Sequence, residues 1–220
     1  MNSILLFLLG AFIASFLYCL AMNYPNQAIL STRRSTCDHC GHLLSFWHLI
    51  PIFSFCLLRG RCFYCHQVLS SNYLLSELFS GFVLAYFFTH HPASLQNCLL
   101  VICLLSMVCF DLAGMWLPDI LQGVLLGLGL LHYQSFPYYA PIYLVLLGGC
   151  LILLLVINSS AIGGGDLKFI YASLFFLPPD LFPYYLLIAS VMGMIYILVT
   201  GKDRIPFIPC LVVSLIILYP

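Results

Sequence analysis

Charge is what this sequence has least of. Seven Lys and Arg and seven Asp and Glu are spread over 220 residues, 6% in all, with a formal net charge of zero. So few charges cannot clothe a soluble globule, and no basic excess is present to meet a phosphate backbone, which excludes nucleic acid as a partner. Internal repeats and low-complexity tracts are also missing. The first apolar segment lacks a basic leader and a small-residue cleavage site, so it is expected to be a retained helix rather than a signal peptide. What remains is apolar: 63% of residues are hydrophobic, and the mean hydropathy is +1.10.

A membrane span needs about 20 mostly apolar residues. Eight segments qualify or nearly so, at roughly 3–22, 74–89, 95–110, 119–132, 141–157, 167–178, 184–200 and 205–219. Those at 119–132 and 167–178 are short enough to tilt or re-enter. The expected fold is therefore all-α, a polytopic membrane helix bundle of about eight spans with a small cytoplasmic four-cysteine loop. Residues 1–22 form the first transmembrane helix, 23–73 the cysteine-knuckle domain, and 74–220 a membrane-embedded core.

Orientation follows from the basic residues. Arg33, Arg34, Arg59 and Arg61 lie in the loop after the first span, which the positive-inside rule places in the cytoplasm, with the N-terminus outside. Alternation then puts Asp111, Asp119, Asp166, Lys168, Lys202 and Arg204 on the cytoplasmic side too. The expected location is the cell membrane, with lipid as the surrounding partner.

Of eleven cysteines, seven (Cys19, Cys56, Cys98, Cys103, Cys109, Cys150 and Cys210) sit in apolar surroundings and are expected to pack as small hydrophobes. The other four form two CxxC knuckles, Cys37–Cys40 and Cys62–Cys65, with 21 residues between them. Each knuckle aims two thiolates at one point, and the two together complete a four-cysteine zinc site. Gly41 follows the first knuckle and Gly60 precedes the second, as tight turns around a metal require. Four protein ligands leave no open position, so the zinc is expected to be structural. Thiol redox chemistry at the same CxxC pairs is the competing interpretation.

Two aspartates stand out. Asp111 ends the third span, ahead of a break at Gly114 and Pro118, and Asp166 follows Gly163, Gly164 and Gly165. A carboxylate in the membrane costs roughly 3 kcal/mol or more and is placed there for a function. If the two helix ends meet, like charges about 3 Å apart cannot both ionise easily, so the pair shares a proton. Such a dyad activates a water for attack on a peptide carbonyl while its partner protonates the departing amine. Glycines before Asp166 allow close approach of an extended backbone. Asp119 competes with Asp111 and is taken as supporting, or as a cap on the fourth span. Lys168 either holds Asp166 or extends to the interface. Glu77 is expected to pair with Arg59 or Arg61. Tyr138-Tyr139 and Tyr184-Tyr185 are expected to anchor at the interface.

Taken in order, these pieces resemble the type IV prepilin peptidases, also called prepilin leader peptidases, whose competence-related members occur in Gram-positive bacteria. The resemblance rests on Ala14-Ser15-Phe16; Arg34-Ser35-Thr36-Cys37-Asp38-His39-Cys40; Leu49 to Phe55; Leu58-Arg59-Gly60-Arg61-Cys62-Phe63-Tyr64-Cys65; Glu77; Asp111 to Asp119; and Gly163 to Lys168. It implies an aspartic endopeptidase of the GxGD type, with Asp111 and Asp166 as the catalytic pair. The implied substrates are prepilins and pseudopilins, cut after a glycine at the cytoplasmic edge of their hydrophobic segment. Many relatives also methylate the new N-terminus with S-adenosylmethionine, and no recognisable methyl-donor motif is present here. A non-catalytic pilus assembly factor is the other rival. Two stretches depart from the family pattern: Met22-Asn23-Tyr24-Pro25 lacks the usual Arg, and Ile208 stands in Pro206-Phe207-Ile208-Pro209 where glycine is common. Neither departure is expected to touch the aspartates.

Overall fold

The computed structural model of the chain describes residues 2–24, 35–37, 39–135, 144, 148–149, 163–201 and 204–220. Most of the segment expected to span at 141–157 lies outside the described residues, as do Arg33, Arg34, Asp38, Tyr138, Tyr139, Cys150 and Lys202. The described residues are helical and contain no β-strand, only two isolated bridges, Thr36 with Leu43 and Arg61 with Val68. The chain divides into two compact units, Met1–Ala93 with Leu112–Gly114, and Ser94–Asp111 with Met115–Pro220.

In the first unit, helix α1 (Ser3–Asn23) has no acid in its first turn and no base in its last, and the Asn2 side chain accepts a hydrogen bond from the Ile4 N–H at 3.2 Å to cap it. A single 3-10 turn (Phe46–Leu49) and the short helix α2 (Phe53–Leu57) follow within the knuckle loop. Helix α3 (Ser71–His90), capped by Ser70, packs along α1. The seam is made of small residues. A Cβ added at Gly10 would stand 2.5 Å from the Ser80 carbonyl oxygen, and one at Gly81 would stand 2.9 Å from the Phe7 carbonyl oxygen. Lipid tails are as apolar as leucine, so helices gain little by burying apolar side chains and associate instead through close backbone approach. The outward face of α1, including Leu5, Leu8, Phe12 and Phe16, is exposed and apolar, as a lipid-facing surface must be.

In the second unit, α4 (Leu95–Gly114) is buried at every position from Cys103 to Asp111, the mark of a helix surrounded by other helices. It ends at Met115, a left-handed residue (φ 54°) whose N–H bonds the Asp111 carbonyl at 2.8 Å. Beyond Pro118 come α5 (Asp119–Ser135), α6 (Gly164–Ser173), α7 (Phe182–Thr200) and α8 (Ile208–Leu218). Helix α6 packs on both α5 and α8, and α7 on α8. Among the described residues, α1, α4 and α7 are long and apolar enough to cross a membrane.

Several local expectations are revised. The segment at 167–178 is helical only to Ser173, and residues 174–176 turn, because prolines follow at 178 and 179 and disfavour a helix before them. Cys103, Cys109 and Cys210 are buried as expected, whereas Cys56 is exposed on α2. Tyr184 is exposed and fits an interfacial anchor, but Tyr185, one helical position on, is fully buried.

The α1–α3 seam yields a direct test. Gly10→Val drives a branched side chain into the Ser80 backbone, so overpacking of about 1–3 kcal/mol is expected. The variant should lose thermal stability in detergent by several degrees. Gly123→Ala, where an added Cβ meets nothing within 4 Å, should not.

Candidate active site and metal centre

The two CxxC knuckles share one backbone design. In the first, the Cys37 N–H donates to the His42 carbonyl at 3.0 Å and the Gly41 N–H returns to the Cys37 carbonyl at 2.8 Å. In the second, the Cys62 N–H donates to Gln67 at 2.9 Å and the His66 N–H returns to Cys62 at 3.0 Å. The fourth residue after the leading cysteine is left-handed in both, Gly41 at φ 67° and His66 at φ 57°. Glycine takes that conformation freely and histidine does so at some cost. Gly60, also at φ 67°, turns the chain into the second knuckle, and its Cβ position is closed by the Phe55 ring at 3.0 Å. These turns gather the four thiols of Cys37, Cys40, Cys62 and Cys65 to within 4.8 Å of one another, with Cys37 and Cys65 Sγ atoms 3.9 Å apart. A tetrahedral zinc with bonds of about 2.3 Å separates its sulfurs by roughly 3.8 Å. The donor set therefore fits such an ion and can hold a metal. The backbone N–H groups of Cys65 and Tyr64 donate toward the Cys62 sulfur and favour its thiolate, while the crowding of the other thiols pushes Cys65 the opposite way. A thiol already close to its thiolate form is prepared for a cation.

The second centre lies at the ends of α4, α5 and α6. Asp111 is 6% exposed, and its Oδ2 accepts the Ile208 backbone N–H at 3.0 Å. This amide opens α8, where helix N–H groups lack partners within the helix and favour a negative charge. Asp166 is half-buried in the first turn of α6 and lies within coulombic reach of Asp111. The three glycines before it have identifiable work. The Asp166 N–H bonds the Gly163 carbonyl at 3.1 Å, and a Cβ on Gly163 would stand 2.9 Å from the Asp166 Oδ2. A Cβ on Gly165 would stand 2.9 Å from Leu117, in the extended stretch after Asp111. The glycine run thus lets the turn press against its own carboxylate and against the 115–118 segment.

Lys168 pairs with Asp119 at 2.5 Å rather than with Asp166. Both side chains are more than half exposed, at 53% and 82%, so the pair is worth no more than about 1 kcal/mol. It ties the start of α5 to the first turns of α6. Gln122 reinforces that tie and was missed in the sequence. Its Nε2 donates to the Gly165 carbonyl at 3.0 Å from a buried position. The available signal was a polar side chain three residues after Asp119, on the same helical face in an apolar stretch. Ile208 was also misjudged: the departure from glycine there does touch Asp111, but through a backbone N–H that any residue except proline supplies. Glu77, expected to meet an arginine, instead accepts the Ile52 N–H at 2.7 Å and meets the Ser15 side chain.

An all-helical membrane protein with two acids near helix ends and a four-thiol cluster able to hold a metal is the class these features define. Residues 8–91 match the Bacterial Peptidase A24 N-terminal domain, and residues 98–198 match the Type IV leader peptidase family. The prepilin leader peptidase/N-methyltransferase of Burkholderia pseudomallei (strain 1026b) is 32% identical over 203 residues, covering 86% of this chain and 65% of that protein. The protein of the same name from Legionella pneumophila is 32% identical over 200 residues, covering 82% of this chain and 70% of that one. The type 4 prepilin-like proteins leader peptide-processing enzyme of Escherichia coli O78:H11 (strain H10407 / ETEC) is 29% identical over 237 residues, covering 92% and 87%. No solved structure matches. The chain belongs to the type IV leader peptidase family, and it spans just under two thirds of the length of the Burkholderia relative, 65%.

The metal centre predicts that purified protein carries one tightly held metal per chain by elemental analysis. Cys62→Ser should lose it, and its remaining knuckle thiols should alkylate much faster than those of the parent. Acidification should release the ion as protons compete for the thiolates.

Proposed function

We propose that the chain is a membrane aspartic endopeptidase that removes the leader peptide of type IV prepilins and pseudopilins. The observation that carries this is a buried Asp111, held by the Ile208 N–H and within coulombic reach of Asp166 on a glycine turn, in a chain of the leader peptidase family. A water held between the two carboxylates gives its proton to one of them as its oxygen attacks the scissile carbonyl. The other carboxyl, protonated at the start, donates to the departing amide nitrogen, and the peptide bond breaks. Asp119, Lys168 and Gln122 brace α5 against α6 and fix where Asp166 stands; Gly163 and Gly165 leave it room.

The same proposal includes about eight spans, the active site on the cytoplasmic side, and cleavage after a glycine. The positive charges of the knuckle loop support the orientation. Zinc is the proposed ion of the cysteine centre, in a structural role, since four thiols fill its coordination. Thiols gathered on one metal also weigh against a thiol oxidoreductase. N-methyl transfer from S-adenosylmethionine forms the second half of the proposal: the names of the Burkholderia and Legionella relatives pair it with peptidase activity.

Cleavage of a co-expressed prepilin, scored by the product's mass and new N-terminus, tests the assignment. Asp111→Asn and Asp166→Asn should each reduce cleavage at least about 100-fold at normal protein levels, the usual scale of acid–base catalysis. Intact cleavage in either removes that residue from the mechanism, and intact function with both replaced establishes an assembly factor instead. The same spectra report whether the new N-terminus gains a methyl group.

The bracing residues should rank by burial. Gln122→Leu removes a buried hydrogen bond worth about 0.5–1.5 kcal/mol and should slow turnover by up to about tenfold. Lys168→Gln breaks an exposed pair and should cost no more than about fivefold.

A further inference from the structure

The knuckle loop carries two arginines and an apolar surface that neither the metal centre nor the aspartates use. Beside the second knuckle lies a cavity of about 440 Å³ lined by Leu58, Arg59, Arg61, Cys62, Phe63 and His66. Among the described residues neither arginine makes an ion pair. Two of the lining residues, Arg59 (φ 50°) and His66 (φ 57°), hold left-handed backbones that cost energy for a side chain with a Cβ. Two guanidinium groups and an imidazole around one hollow form a receptor for a small oxyanion, because the arginine fork matches phosphate oxygens two at a time.

Next to this hollow is an apolar surface. Phe63 lines the cavity and also stacks on His48, with ring centroids 5.1 Å apart. His48 belongs to the Phe46–Leu49 turn, where Phe46 is 88% and Trp47 77% exposed. Phe53 and Leu57 of α2 are exposed as well. Aromatic side chains bare to this degree are costly in bulk water and suit the headgroup zone of a membrane.

The loop is held at that level by its anchor. The Ile52 N–H is bound by Glu77 of α3, which also meets Ser15 of α1. Ser15 lies eight residues before the end of α1 at Asn23, a distance of about 12 Å along a helix. The chain around residue 52 is therefore docked alongside the helix pair, below the end of a membrane-spanning helix, and not out in solution beyond it.

We propose that Arg59, Arg61 and His66 form a binding site for the phosphate of an anionic phospholipid, with the Phe46–Leu49 turn and α2 seated in the lipid–water interface beside it. The site would fasten the knuckle loop to the membrane surface independently of any peptidase chemistry. A basic cluster at this depth also meets the negative potential of a cytoplasmic leaflet.

The sequence contains two tryptophans, Trp47 and Trp116, so Trp116→Phe leaves Trp47 as the sole emitter. In that background the full chain is placed in nanodiscs of phosphatidylcholine with or without phosphatidylglycerol, one lipid at a time carrying brominated acyl chains. Trp47 should be quenched by brominated lipid, at least about twofold more by brominated phosphatidylglycerol than by brominated phosphatidylcholine. That preference should vanish in Arg59→Gln/Arg61→Gln while helicity and metal content hold; Arg61→Gln alone serves if the double variant does not fold. Trp47 quenched by aqueous iodide and by no brominated lipid would overturn the interfacial placement. Equal quenching by both lipids, indifferent to the arginines, would overturn the phosphate site. Loss of the preference on adding millimolar inorganic phosphate would assign the pocket to free phosphate instead of lipid.

Discussion

Lipid supplies no hydrogen bonds, so wherever this chain leaves its helical ladder within the membrane, one of its few polar side chains has to meet the backbone group concerned. That requirement organises the molecule. Asp111 takes the first amide of α8 and Glu77 takes the amide that follows Pro51, while Gln122 adds a second hydrogen bond to a carbonyl in the first turn of α6. Ser214 adds a cross-helix hydrogen bond to the Tyr185 carbonyl, within α7. Asp111 and Glu77 are thus placed where apolar helices begin.

The same arrangement explains how a short helix can hold a carboxylate in a fixed place. Helix α6 has only ten residues, too few to be stable from its own hydrogen bonds. Its first turn is instead pinned from several sides, by Gln122 at Gly165, by Asp119 at Lys168, and by packing on α5 and α8. Asp166 sits within that clamp. A carboxylate whose position is set by its neighbours loses little freedom when it meets a substrate, which is the condition for acid–base work in a confined site. Glycine at 163 is part of the same economy of space, since the carboxylate occupies the place a side chain would take.

In the knuckle loop, the gathering of the thiols and the docking of the loop are separable. The two knuckles repeat one pattern of backbone hydrogen bonds around left-handed residues, and this alone gathers the thiols. The loop's position against the helices depends on a different contact, the carboxylate of Glu77 on the Ile52 amide. A buried acid that binds backbone in place of an arginine leaves Arg59 and Arg61 without an ion pair among the described residues.

Much of this was legible in the order of the residues. Long apolar runs mark helices because only a helix satisfies its own backbone in lipid, and α1, α3, α4 and α7 begin and end within a few residues of the expected limits. The CxxC spacing identified the thiol cluster because a knuckle is a local structure, set by a few adjacent residues. Asp111 and Asp166 were singled out because so apolar a chain rarely spends a charge, and the proposed catalytic role rests on them. What the sequence could not specify were the partners. That Lys168 meets Asp119, that Glu77 holds Ile52, that Gln122 braces Gly165 and that Tyr185 turns inward all depend on which helix faces lie together. Those faces are chosen by small residues such as Gly10 and Gly81 and by packing between segments far apart in the chain, and only the tertiary structure decides such contacts.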